Sequence, residues 1–149
     1  LIIGNVNAIS YKDIFKLIQK NKIWLGYNCV RHFKRPDGSM YETARSFWYT
    51  NLDIEKRHED LILYKKYYGN EDEYKKYDNY DAINVDKATD IPMDYKGKMG
   101  VPITFMDKYN PDQFEILGDS RYITGECLDI NIINGKPIYR RIIIRNKKI

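Results

Sequence analysis

LIIGNVNAISYKDIFKLIQKNKIWLGY, residues 1–27, decides how the chain is read. Residues 1–3 form a short apolar run that Gly4-Asn5 breaks, the pattern of a strand buried on both faces, as in a parallel sheet. Tyr11, Ile14, Phe15 and Ile18 then recur at helical spacing with lysines between them, which predicts an amphipathic helix. Ser10 stands at the N-cap position, Asp13 is the acidic partner of a capping box, and Asn21 closes the helix. Residues 23–27, IWLGY, are the next strand. Strand, helix and strand at this spacing make one βαβ unit, so a parallel sheet with a right-handed crossover is expected. The chain also opens without methionine, inside what reads as a core strand. Terminal residues are usually poorly held, so the expectation is a piece of a longer protein whose upstream part is missing.

Beyond Tyr27 the pattern changes. Pro36-Asp37-Gly38-Ser39 reads as a turn between strand-like flanks, and residues 45–52, RSFWYTNL, are rich in β-forming and aromatic side chains. Residues 53–76 are charged and expected to be helical in patches, whereas 77–100 lack periodicity and turn at Pro92 and Gly97. Short apolar runs, VPITFM and FEILG, flank DKYNPDQ. The last stretch, CLDINIINGKPIYRRIIIR, alternates across Asn134-Gly135, a two-residue hairpin signal.

Composition allows one domain with a sizeable core: 149 residues, 43% hydrophobic, with 14 tyrosines among the aromatic side chains. A net charge of +4 and a sequence pI of 8.9 suit a polyanionic partner without demanding one. From Lys136 onward, Arg140, Arg141, Arg145, Lys147 and Lys148 accumulate with no acid among them. Cys29 and Cys127 have neither CxxC spacing nor clustered histidines, so a disulfide framework or zinc site is not expected and a reducing cytoplasm is. No apolar run approaches transmembrane length.

Chemistry-bearing motifs are scarce. NPDQF, at residues 110–114, invites comparison with the Asn-Pro-Pro-aromatic loop that grips an extruded base. Asp112 replaces the second proline, Gln113 intervenes, and Phe114 comes one place late, so a turn or helix start is the expected role. Neither a GxGxxG nor a GxxxxGK[ST] phosphate loop is present, and His32 and His58 lack ligand-spaced partners.

Four phrases, LIIGNVNAISYKDIFKLIQKNKIWLGYN, WYTNLDIEKR, YDNYDAINVDKATDIP and MGVPITFMDKYNPDQFEILG, point further. In this order they resemble the C-terminal half of the EcoRI-type adenine-specific DNA methyltransferases, from Leu1 to about Gly118 and more loosely through the terminal hairpin. The resemblance implies a parent that moves a methyl group from S-adenosylmethionine to N6 of a flipped adenine in duplex DNA, within a restriction–modification system or phage-like element. It implies a fold that is α/β, or α+β overall: the end of a methyltransferase-type (Rossmann-like) sheet over 1–52, then an α+β target-recognition region over 53–149. The first part would supply the sheet's fifth strand, a helix, the sixth strand and the antiparallel seventh. The donor loop and the Asn-Pro-Pro-Phe loop would lie upstream. No catalytic or cofactor residue is therefore expected here, and the expected partners are double-stranded DNA and the missing N-terminal catalytic half.

Ligands of open α/β sheets bind outside the carboxyl ends of the strands. Asn5 and Asn7 after the first strand, and Asn28 after the second, would face the base or DNA backbone there, or else cap turns. Arg31, Lys34, Arg35 and Arg45 flank the 36–39 turn and either contact DNA or form a solvated hairpin. Lys96, Lys98 and Arg121 in later loops carry the same pair of readings. The Arg140-Arg141 pair reads as a phosphate contact or a solvated strand edge. A free-standing nucleic-acid-binding module and a protein-interaction domain remain as rival readings of the whole.

Overall fold

The computed structural model describes residues 2–125 and 130–149. Leu1, the expected start of the first strand, and Cys127, the expected start of the terminal hairpin, lie outside the described residues. The chain divides into two compact units, Leu1–Lys56 and Arg57–Ile149.

The first unit contains β1 (Ile2–Asn5), a 3-10 turn (Val6–Ser10), α1 (Lys12–Gln19), β2 (Trp24–Lys34) and β3 (Met40–Thr50). Its sheet has the order β1-β3-β2, with β3 antiparallel to both neighbours. β1 and β2 therefore run in the same direction without touching. The sequence predicts a parallel sheet; instead both ladders are antiparallel, because β3 folds back through the hairpin turn and occupies the place between them. That place suits its composition, because Ser46, Phe47, Tyr49 and Thr50 are buried there. β1 was expected to be buried on both faces, yet Ile2 is 71% exposed and the rest of the strand is half-buried. Among the described residues no strand pairs with its outer edge.

The helix ends differ from expectation too. Ser10 donates its hydroxyl to the Asn7 carbonyl (2.6 Å) within the 3-10 turn, and Tyr11 occupies the N-cap of α1 without a side-chain bond. At the other end Asn21 does close the helix, in a left-handed conformation (φ 54°). The Lys22 amide donates to the Leu17 carbonyl (2.8 Å) and the Asn21 amide to Ile18 (2.9 Å), a Schellman pair. Ile9, Phe15, Ile18, Leu25, Phe47 and Tyr49 are the buried apolar residues of this unit. Each contributes about 1.5–3 kcal/mol relative to exposure.

The second unit is built on a four-stranded sheet ordered β4-β5-β9-β6, from Ile83–Asn84, Met99–Val101, Ile142–Asn146 and Phe114–Asp119 respectively. A two-stranded ribbon, β7 (Ile132–Ile133) and β8 (Lys136–Pro137), stands apart. Central β9 carries three successive isoleucines because both its faces are covered. Ile143 packs with Tyr77, Ala82, Ile130 and Ile133. On the alternate register, Ile144 stands between Met99 and Ile116, and Ile142 beside Val101.

Asn134 and Gly135 both take left-handed angles (φ 52° and 71°), as a two-residue hairpin loop requires. The Asp78 carboxylate accepts both of their amides (2.9 and 2.7 Å). The hairpin is only two residues per strand, however, and the basic run beyond it leaves to become β9. The helical patches expected within 53–76 reduce to 3-10 turns at Glu55–His58 and Glu71–Glu73. Between these turns the backbone is tied by distant partners. Gln113 bonds both backbone groups of Leu61, and Lys65 bridges to Pro92.

Gly100 in β5 lies against the Tyr77 hydroxyl, which donates to Asn84 Oδ1 (3.1 Å); a Cβ at 100 would overlap that hydroxyl. Gly100→Ala is expected to destabilise the protein by about 1–3 kcal/mol, read as an earlier urea midpoint. An unmoved midpoint would contradict this packing.

Candidate nucleic-acid interface

Because β1 and β2 share a direction, their carboxyl ends lie along one edge of the three-stranded sheet. In register across that edge, Asn5 sits beside Ser46 and Ser46 beside Val30. Asn5 Oδ1 accepts the Asn7 amide (2.9 Å), so Asn5 caps the turn that follows β1, and Asn7 is exposed on it. Tyr49 reaches this turn from the middle of β3. Its ring passes Gly4, where a Cβ would stand 3.1 Å away, and its hydroxyl donates to the Asn5 carbonyl (3.0 Å). Burial pushes the Tyr49 hydroxyl up to about 12, so it remains a donor throughout the physiological range.

β2 and β3 continue beyond this edge as a two-stranded arm. From residue 27 to residue 45 no side chain is buried. Pairing shifts register twice, between Leu25 and Cys29 and again between Val30 and His32. Such bulges bend a ribbon and re-aim its side chains. Asn28, expected just after the strand, lies inside β2 at the first irregularity and is exposed, because the strand continues to Lys34. At the tip, Asp37 accepts the Ser39 amide (2.8 Å) and hydroxyl (2.7 Å), and these bonds hold its carboxyl below the usual range. Arg31, Lys34, Arg35 and Arg45 are all exposed along the arm. The guanidinium of Arg35 lies over the Tyr41 ring (4.8 Å) and that of Arg45 over Phe47 (5.5 Å).

In the second unit the basic positions divide. Lys96 is exposed, and half-buried Lys98 places its ammonium 4.7 Å from the Tyr80 ring. Arg121 is exposed at a turn where its amide donates to Asp119 (2.9 Å). The Arg140-Arg141 pair is neither a solvated edge nor an open phosphate site. Arg140 pairs with buried Asp119 (2.5 Å), and Arg141, only 8% exposed, bonds Asn84 (3.1 Å) and Asp86 (3.3 Å). Arg145 pairs with Glu115 (2.6 Å) and Lys148 with Asp60 (2.5 Å), while Lys147 donates to the Pro111 carbonyl (2.7 Å). The run of cations read from sequence is thus matched by acceptors brought from far along the chain.

NPDQF is a structural tie. Asn110, 1% exposed, donates to Asp60 (2.9 Å) and the His58 carbonyl (3.2 Å), and its Oδ1 accepts the Asp112 amide (2.8 Å). Fully buried Phe114 meets Phe105 edge to face at 5.2 Å. His58 Nδ1 is 3.5 Å from Asp112, and His32 Nε2 is 3.9 Å from Glu42. Among the described residues no cluster of His, Cys, Asp and Glu could hold a metal ion.

Compared with known families, the chain matches the model described as "Adenine-specific methyltransferase EcoRI" over residues 1–147. The chain belongs to the EcoRI-type adenine-specific methyltransferase family. The match runs through β9, past Gly118 where the likeness read from sequence loosens. The chain is 47% identical to the Type II methyltransferase M.EcoRI of Escherichia coli, covering 100% of this chain and 50% of the relative. It is 35% identical to M.MgeORF184P of Mycoplasma genitalium (100% and 57%) and 30% identical to M.MpnI of Mycoplasma pneumoniae (99% and 56%). The chain therefore spans about half the length of the curated relatives it matches. No solved structure matches it.

Sequence reasoning missed the Tyr49 tie because the partners are 44 residues apart. The alternation of Arg31, Phe33 and Arg35 was visible in the sequence but lacked a register to give it meaning.

Two expectations follow from these family-member contacts. Asn110→Ala should lower stability by about 1–3 kcal/mol, the cost of orphaned buried partners, read as an earlier urea midpoint; an unmoved midpoint would contradict the structural role of NPDQF. Tyr49, whose folded value is raised, contributes stability that is complete below its ordinary value near 10 and is lost as pH rises toward 12. Urea midpoints over that window should fall less steeply for Tyr49→Phe than for the unaltered protein, and parallel pH profiles would contradict the burial of that hydroxyl.

Proposed function

We propose that this chain is the C-terminal part of a site-specific DNA N6-adenine methyltransferase and that its role is to complete the catalytic sheet and hold duplex DNA. The observation that carries this reading is the β1-β3-β2 order, with codirectional outer strands, in a chain that matches the family over 1–147. In this reading β1, α1, β2 and β3 stand as the fifth strand, a crossover helix, the sixth strand and the inserted antiparallel seventh of the methyltransferase sheet. Residues 53–149 then serve target recognition, with Lys98 and Arg121 as candidate contacts. The partners are double-stranded DNA and an N-terminal catalytic half whose last strand pairs with the outer edge of β1. A cytoplasmic location goes with this role, and no described helix is long and apolar enough to cross a membrane.

S-adenosylmethionine is the donor the family implies, and the turn after β1 offers it no open edge. The turn after β1 is closed by the Asn5 cap and the Ser10 bond to Asn7. Gly4, the glycine at that edge, is already faced by the Tyr49 ring. The donor would therefore be held by upstream residues. This chain's own part is mechanical: Tyr49 and Asn5 fix the turn at the carboxyl edge, and the arm carries cations past that edge toward a polyanion.

With labelled S-adenosylmethionine and duplex DNA, the 149-residue chain alone is expected to transfer no label. The same chain extended upstream to the length of its relatives is expected to label N6 of adenine. Transfer by the chain alone, or label on another base, would overturn the proposal.

A further inference from the structure

Register assigns the arm's side chains to two unlike faces. Cross-strand partners share a face and successive residues alternate. Lys34 pairs with Met40 and His32 with Glu42, so these four lie on one side, where His32 Nε2 approaches Glu42 at 3.9 Å. Phe33 pairs with Tyr41, which places Arg31, Phe33, Arg35 and Tyr41 on the other. The guanidinium of Arg35 over Tyr41 agrees with that placement, and Arg45 over Phe47, the partner of Cys29, belongs to the same side. One face therefore carries three arginines and three aromatic rings, Phe33, Tyr41 and Phe47, without a carboxylate. The other carries a lysine, a histidine, a methionine and a glutamate. The tip acid, Asp37, is occupied by Ser39.

We propose that the Arg31–Arg35–Arg45 face of the arm is the surface laid against duplex DNA and that the His32–Glu42 face is turned away from it. This inference rests on the proposed function and names the contact surface within it. Four features support a nucleic-acid occupant. The arm has no buried side chain between residues 27 and 45, so nothing within its own unit covers this face. Arginine is suited to phosphate oxygens and to the paired acceptors of guanine. Two of the three guanidiniums lie on rings, which restricts their motion before any ligand arrives. A two-stranded ribbon also has the width that the major groove of B-DNA admits.

The test is fluorescence anisotropy of the 149-residue chain with a labelled duplex oligonucleotide, titrated between about 50 and 200 mM salt. Each phosphate contact contributes roughly 0.9 to the slope of log affinity against log salt. Replacing Arg31, Arg35 and Arg45 together by Ala is expected to reduce that slope by roughly 2–3, whereas replacing all three by Lys keeps most of it. Lys34→Ala is expected to change it by less than a single replacement of Arg31, Arg35 or Arg45 by Ala. Thermal unfolding of each variant establishes that it folds. If the unaltered chain binds with a steep salt slope and the triple alanine variant matches it, the face assignment is wrong and the proposed function stands. If Lys34→Ala loses as much as a single replacement of Arg31, Arg35 or Arg45 by Ala, the arm acts through net charge and the assignment also fails. If the unaltered chain shows no salt-dependent binding, or prefers single-stranded DNA, both the assignment and the proposed role in holding duplex are overturned.

Discussion

The backbone ladder that β3 makes with β1 on one side and β2 on the other is the constraint from which the first unit follows. A central strand must satisfy both of its edges, and this one does so with two strands that run the same way. Their carboxyl ends are thereby brought to a single edge. The same strand buries Phe47 and Tyr49, and Tyr49 spends its hydroxyl on the carbonyl of Asn5 at that edge. Core packing and the position of the exposed turn are consequently one structural event. The strand that does this is also the return limb of the arm, so the arm's base is anchored in the core while its outer length is bare.

The second unit handles charge differently. Its cations are numerous, but Arg140, Arg141, Arg145 and Lys148 each meet a carboxylate from elsewhere in the unit. The pairing of Arg140 with Asp119 and of Arg141 with Asn84 and Asp86 fastens the approach to β9 against the neighbouring segments. Removing one member of such a pair leaves a poorly solvated charge, which costs more than the pair contributes. A net charge of +4 therefore says little about where a polyanion would lie. What matters is which cations lack a carboxylate facing them, and on the arm the three arginines share a face with none.

Much of the frame was legible in the sequence. The apolar run, the amphipathic helix closed by Asn21, the 36–39 turn, the aromatic strand and the Asn134-Gly135 hairpin loop all appear, because local periodicity and turn chemistry determine them. What was not legible depends on contacts distant in sequence. The parallel sheet expected of β1 and β2 gave way to antiparallel ladders with β3, whose place between them no local pattern encodes. Residues 53–76 have the composition of a helix, but Gln113 and Pro92 tie parts of them to distant segments. Of the candidate site, Asn5, Asn7 and the arm's basic residues share one sheet edge, whereas Asn28 moved into a strand and the Arg140-Arg141 pair turned inward. The alternation along the arm was written in the sequence, yet only the register separates its faces.

The central claim is that the carboxyl edge of the β1-β3-β2 sheet and the arm rising from it form the DNA-facing surface. Amide hydrogen exchange, followed residue by residue with and without saturating duplex DNA, tests it most directly. The account predicts slowed exchange in the 5–10 turn and along residues 28–45 when duplex is present. Unchanged exchange across both segments, with the duplex demonstrably bound, would contradict it.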